Sequence, residues 1–233
     1  MVNKKLVACL VDIIGASAST KGNEFDATVR DKLKKHLKLV SYIPTDRWAS
    51  KAKTSIFSVH SKRTQSKWFD FSDLPPIYDN GVRLDLMIVN QPNGSQQWPD
   101  LLVIYKGIGL PIEVKSAKPD KIVWNGGLPR QNGVYIFNCY GESKVTCFLG
   151  KHIISLERRQ NLLMLAKVAS TLNTSNGEEG EEDGWTYYVR NMYNSNRSYV
   201  FNSNIRAMLE NDTLAYIENL TWDHNQVTDF RDN

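Results

Sequence analysis

Pro99-Asp100-Leu101-Leu102-Val103-Ile104-Tyr105-Lys106-Gly107-Ile108-Gly109-Leu110-Pro111-Ile112-Glu113-Val114-Lys115 contains two apolar runs on either side of a glycine-bearing break. Both runs, 101–105 and 110–114, are short and rich in β-branched and aliphatic residues, so they predict two strands of a hairpin. A type II′ turn with Gly107 at its first central position would pair Lys106 with Gly109, Leu102 with Glu113 and Asp100 with Lys115. Side chains alternate across a strand and opposed residues share a face, so Asp100, Glu113 and Lys115 then emerge together. Any loop of even length keeps that parity. An unbulged three-residue loop would send Asp100 to the other side.

Two carboxylates and an amine on one face suit the hydrolysis of a phosphodiester. The anionic ester repels hydroxide, and a divalent cation offsets that charge and lowers the pKa of a bound water. Magnesium takes oxygen ligands, usually one or two protein carboxylates with waters and phosphate oxygens, which Asp100 and Glu113 can supply. Lys115 could orient or deprotonate the attacking water, or stabilise the charge of the transition state. The plain structural alternative is a buried hairpin with an Asp at a strand start and a Glu/Lys pair on a solvated face.

Pro99-Asp100 with Glu113-Val114-Lys115 resembles the PD-(D/E)XK signature of the nuclease superfamily that includes most Type II restriction endonucleases. The resemblance implies a restriction-endonuclease-like α/β domain with a mixed central β-sheet flanked by helices. It further implies Asp100 and Glu113 as ligands of Mg2+, with Lys115 completing the catalytic set. Members commonly add a Glu from a helix ahead of the sheet, and Glu24 is the candidate here. Phe25, Val29, Leu33 and Leu37 mark an apolar helix face, with Gly22 or Asn23 as N-cap and Glu24 in the first turn. That position equally suits an acid favoured only by the helix dipole. After the signature, Trp124-Asn125-Gly126-Gly127-Leu128-Pro129 leading into Val134-Tyr135-Ile136-Phe137 is similar to the loop and third core strand of several restriction enzymes. The family further implies a homodimer acting on double-stranded, palindromic DNA and leaving 5′-phosphate and 3′-hydroxyl ends. Repair, resolvase and transposition nucleases share the signature, so a repair or junction-resolving nuclease is the alternative. A non-catalytic DNA-binding protein on the same fold is the alternative from another class.

The 233 residues suit one elaborated domain. An apolar share of 41% with 23% charged residues excludes a disordered chain. The formal charge of +4 permits a polyanionic partner without requiring one. No stretch is apolar over the length of a bilayer. Lys4-Lys5, an apolar run to Ile14 and Gly15-Ala16-Ser17-Ala18 imitate a secretory signal, but Asp12 interrupts the run. Cys9, Cys139 and Cys147 give neither metal-ligand spacing nor an even count, so they read as reduced residues of a cytoplasmic protein. The N-terminal run reads as a buried helix or strand.

Beyond the hairpin, strands are expected at 82–89, 134–138 and 143–149, and a helix from Leu156 to Leu172. Asp85, in the first of these strands, shares a face with Arg83; an ion pair is its simplest role, and a metal ligand its reserve one. The acidic, glycine-rich residues 173–184 read as a mobile loop. The extension 185–233 reads as a recognition or dimerisation region. Two segments carry the residue types that contact phosphates and base edges. The first follows the catalytic strand with Lys118, Lys121, Asn125, Arg130 and Gln131; the second holds Arg190, Asn191, Asn194, Asn196 and Arg197 among aromatics. The basic stretch from Arg47 to Lys67 is held in reserve. His36, His60, His152 and His224 show no nuclease-type clustering and read as surface or satisfied polar residues.

Overall fold

The computed structural model describes residues 1–16, 21–38, 42–43, 78–79, 82–83, 86–91, 98–106, 108–122, 124, 128–175 and 199–222. The N-terminal run forms helix α1, Val2–Ile14, which buries Val2, Leu6, Cys9, Leu10 and Ile13. Steps of three and four place these side chains along one helical face, where a strand would have needed steps of two. Helix α2, Gly22–Leu37, buries Phe25, Val29, Leu33 and Leu37. Its N-cap is the extended Lys21, without a side-chain cap bond, in place of the expected Gly22 or Asn23. Lys34, Lys35 and His36 crowd its last turn, where the helix dipole favours positive charge.

Six strands make one sheet: β1 (Tyr42–Ile43), β4 (Leu86–Asn90), β5 (Leu101–Tyr105), β6 (Ile108–Ala117), β7 (Val134–Cys139) and β8 (Lys144–Leu149), in the order β1-β4-β5-β6-β7-β8. The β1/β4 and β6/β7 pairs are parallel and the rest antiparallel, so the α/β class with a mixed sheet holds. The strand expected over 82–89 is divided. Val82–Arg83 (β3) pairs with Tyr78–Asp79 (β2) in a separate ribbon, and only Leu86–Asn90 joins the sheet. Asp85 lies outside the described residues.

The β5–β6 hairpin forms in a register shifted by two residues from the expected one. Tyr105 pairs with Ile108 and Leu101 with Ile112. Lys106 takes the left-handed conformation, φ 53°, which a hairpin turn matched to strand twist requires. The shift is two residues, an even number, and every side chain keeps its face.

Strands β5 to β8 are buried on both sides. Val134 and Ile136 of β7 join the larger core with α1, α2 and residues of β4 to β6, while Tyr135, Phe137 and Cys139 point to a second cluster with Ile122, Trp124, Phe148, Val200 and Leu209. Helix α3, Leu156–Ser175, buries Arg159 and Ala169 and exposes Leu165 and Val168. Helix α4, Ser203–Glu218, has no counterpart among the expected elements. It covers the free edge of β8: Arg206 Nη2 donates to Val145 O at 2.8 Å, and Glu210 Oε1 accepts from Thr146 Oγ1 at 2.8 Å. An uncovered edge would invite pairing with another chain. Past α4, Leu220 and Trp222 enter the larger core, and Asn3 Nδ2 donates to Glu218 O and Leu220 O. The described part of the 185–233 extension therefore helps to build the core. Cys9, Cys139 and Cys147 are buried free thiols. Among the described residues no helix is long and apolar enough to cross a membrane.

Candidate active site

One step beyond the last ladder pair, Leu101 with Ile112, the register sets Asp100 against Glu113. Here the two carboxylates replace the backbone ladder. Val114 N–H donates to Asp100 Oδ2 at 2.8 Å, and Asp100 N–H donates to Glu113 Oε2 at 3.2 Å. Each acid thus satisfies an amide of the opposite strand, and the pair is fixed by the same geometry that ends the hairpin. Lys115, two residues along the same face, donates from Nζ to Glu113 Oε1 at 2.6 Å. On the other side of β6, Glu113 is registered with Tyr135 and Lys115 with Phe137. Aromatic side chains therefore flank the charged group, and Glu113 keeps only 7% of its surface exposed.

This setting raises both acids. Burial pushes Glu113 up to about 7; the Lys115 ammonium opposes that, and the Asp100 carboxylate adds to it. Burial also raises Asp100, against the Val114 amide, Lys115 and the Glu113 carboxyl. A buried pair of acids that resists full ionisation is a place where a cation is favourable, because the cation removes the repulsion that burial magnifies. The donor set fits magnesium, which needs no more than two protein carboxylates. No group of three or more His, Cys, Asp and Glu side chains with metal-holding geometry occurs among the described residues.

A third acid does lie within electrostatic reach, and it is Asp26 instead of Glu24. Burial first, then the Asp100 carboxylate, raise Asp26 to about 6, with Lys115 and Arg30 opposing. Glu24 is exposed and contributes its carbonyl to Thr28 Oγ1 at 2.9 Å. A helical wheel contains the signal that separates them. The stripe Phe25, Val29, Leu33, Leu37 drifts by about 40° per step, which leaves Asp26 about 40° from its mean and Glu24 about 160° away. Because α2 packs on β6 through this stripe, the acid beside the stripe reaches the strand.

The proposed DNA contacts are scattered. Lys118 is exposed and Lys121 partly so, while Gln131 Nε2 donates internally to Ile154 O at 2.9 Å. The Arg130 guanidinium lies over the Trp98 ring, 5.2 Å from its centroid. Asn125, Arg190, Asn191, Asn194, Asn196 and Arg197 lie outside the described residues, as does the stretch from Arg47 to Lys67. Of the histidines, His36 Nε2 meets Asp12 at 2.9 Å and His152 Nε2 meets Asp212 at 2.6 Å, both remote in sequence from the hairpin; His60 and His224 are outside the described residues. No protein-family model matches the chain, and no match was found among curated proteins or solved structures.

Proposed function

We propose that the chain is a magnesium-dependent endodeoxyribonuclease of the Type II restriction kind, a homodimer that cuts both strands of double-stranded DNA at a specific site. The observation that carries this reading is the cross-strand clasp of Asp100 and Glu113 with Lys115 bonded to Glu113 at 2.6 Å. Bound there, magnesium would neutralise phosphate charge and acidify a water.

The side chains divide the remaining work. Asp100 and Glu113 would hold the cation, and their fixed bonds to the Val114 and Asp100 amides would spare the site reorganisation when substrate arrives. Lys115 stays within reach of Glu113 on the substrate-facing side, where its ammonium steadies the developing negative charge or orients the attacking water. Asp26 adds negative potential beside Asp100 and strengthens the preference for a divalent ion.

Incubation of the purified chain with a plasmid of known sequence and Mg2+ tests the reading. Discrete fragments bearing 5′-phosphate and 3′-hydroxyl ends are expected, and their mapped ends give the recognition site. Nicking confined to branched or damaged DNA would favour a repair or junction-resolving enzyme. Binding without any metal-dependent cutting would leave a DNA-binding protein on this fold.

A further inference from the structure

We propose that Arg130 is a positioning residue for the Asp100–Glu113 pair, acting through Trp98 in the segment that leads into β5 and through Tyr135 on β7. The proposal rests on the nuclease reading for its activity readout but not for its metal-binding readout.

Arg130 belongs to the crossover that joins β6 to β7. Its guanidinium covers the Trp98 indole, whose residue stands two before Asp100. A cation over an indole face away from water is held by the ring quadrupole. Through its main chain the same residue holds the tyrosine registered beside the other acid. Arg130 N–H donates to Tyr135 Oη at 2.8 Å, and Tyr135 is the β7 partner of Glu113. Tyr135 has no freedom to take up slack: it is fully buried, stacked on Phe148 at 5.6 Å and edge-on to Trp124 at 5.2 Å.

The backbone around Arg130 is pinned just as tightly. Its carbonyl accepts from Gly133 N–H at 3.1 Å. A Cβ on Gly150 would fall 1.8 Å from that oxygen, so only glycine admits the crossover there. A Cβ on Gly133 would come within 3.1 Å of the Trp98 ring and 3.2 Å of the Tyr135 ring, which shows how closely the two aromatic arms approach. One residue earlier, the buried Arg159 donates from Nε to Pro129 O at 3.0 Å. Arg130 is thus the node at which the approach to Asp100 and the strand behind Glu113 are joined. A guanidinium that reads a base would show itself in duplex affinity, whereas one that positions the acids would show itself in metal affinity.

The full chain decides between these roles. Arg130→Ala, Arg130→Lys, Trp98→Leu and Trp98→Phe are compared with the parent for Mn2+ affinity by calorimetry without DNA, duplex affinity in EDTA, and single-turnover cleavage in Mg2+. Circular dichroism reports folding. Groups that orient metal ligands typically contribute about tenfold or more to metal affinity or rate. Arg130→Ala and Trp98→Leu are expected to weaken Mn2+ binding and slow cleavage by about that factor, with duplex affinity in EDTA unchanged. Trp98→Phe, which keeps a π face, and Arg130→Lys, which keeps the cation, should recover part of the loss. If Arg130→Ala does not fold, Trp98→Leu decides, since it leaves the Arg130 main-chain bonds in place. Parental Mn2+ affinity in the folded variants overturns the proposal, as does lost duplex affinity with an unchanged rate on bound DNA. A parent that binds Mn2+ and cuts nothing would sink the nuclease reading alone. A parent that binds no Mn2+ overturns the positioning role.

Discussion

Two acids in this molecule each hold a lysine ammonium in a short ion pair, and they respond in opposite ways. Asp12 on α1 meets Lys32 Nζ at 2.7 Å and His36 Nε2 at 2.9 Å on α2. Those hydrogen bonds hold its carboxyl below the usual range. Glu113 meets Lys115 Nζ at 2.6 Å, yet its carboxyl is pushed up to about 7. The difference is environment. Asp12 keeps 41% of its side-chain surface in water, Glu113 10%, and Glu113 faces a second carboxylate across the hairpin. An exposed acid gains from its partners at little cost in desolvation; a buried acid beside another acid is not fully compensated by one lysine. The first arrangement ties two helices together, and the second leaves two largely buried acids sharing one ammonium.

The largest expected contrast is catalytic. Asp100→Ala or Glu113→Ala should lower single-turnover DNA cleavage by on the order of a thousandfold or abolish it, because each removes a carboxylate that the proposed function assigns to the metal. Asp12→Asn should leave the rate at its parental value. Parental cleavage in either alanine variant would remove that carboxylate from the mechanism.

Lys115→Ala should cost on the order of a hundredfold in the same assay, with duplex affinity retained. Lys32→Ala, at the other ion pair, should cost nothing there. If Lys115→Ala instead bound DNA poorly but cut bound DNA at the parental rate, Lys115 would be a phosphate anchor.

The comparison also fixes the sign of a pH effect in metal-free protein. Glu113 and Asp26 have folded values of about 7 and about 6, above the 4.5 and 3.8 of free carboxyls. Their contribution to stability is therefore full below those free values and is lost as pH rises through 6 and 7. Urea denaturation should show the metal-free chain less stable at pH 8 than at pH 5.5. Glu113→Gln should flatten that slope and add on the order of 2 kcal/mol at pH 8. A variant less stable than the parent at pH 8 would contradict the burial argument.

The smallest effect belongs to Asp12. Its lowered value gives stability that is present above the free-carboxyl value and lost as pH falls through the folded one. Asp12→Asn should cost less than about 1 kcal/mol at pH 7, as exposed pairs do, and less still in high salt. A larger loss, read from the same urea midpoints, would mean that the α1–α2 tie resembles the buried pair more than its exposure indicates.

Local pattern made much of this fold legible. The apolar stripe of α2 follows from its four-residue spacing, and the strands expected at 101–105 and 134–138 follow from short apolar runs that are buried on both sides. The exact hairpin register was not legible: Lys106 takes a left-handed turn position that the pattern assigned to Gly107. Helix α4 was not legible because a polar residue, Thr213, stands between Leu209 and Ile217 in its buried stripe, while Arg206 and Glu210 bond to the β8 edge.

The sequence by itself determined that Glu113 and Lys115 share one face, since they stand two apart on one strand; Asp100 joins them because the hairpin loop is of even length, which the register of the folded strands decides. Only the tertiary structure decided what surrounds them. That Asp26 approaches while Glu24 does not depends on how α2 lies on β6, and that Arg130 rests on Trp98 depends on the path of the crossover. Alternation along a strand is a local property of the backbone. Electrostatic environment is set by residues distant in sequence, and burial is what turns two ordinary acids into a pair that favours a cation.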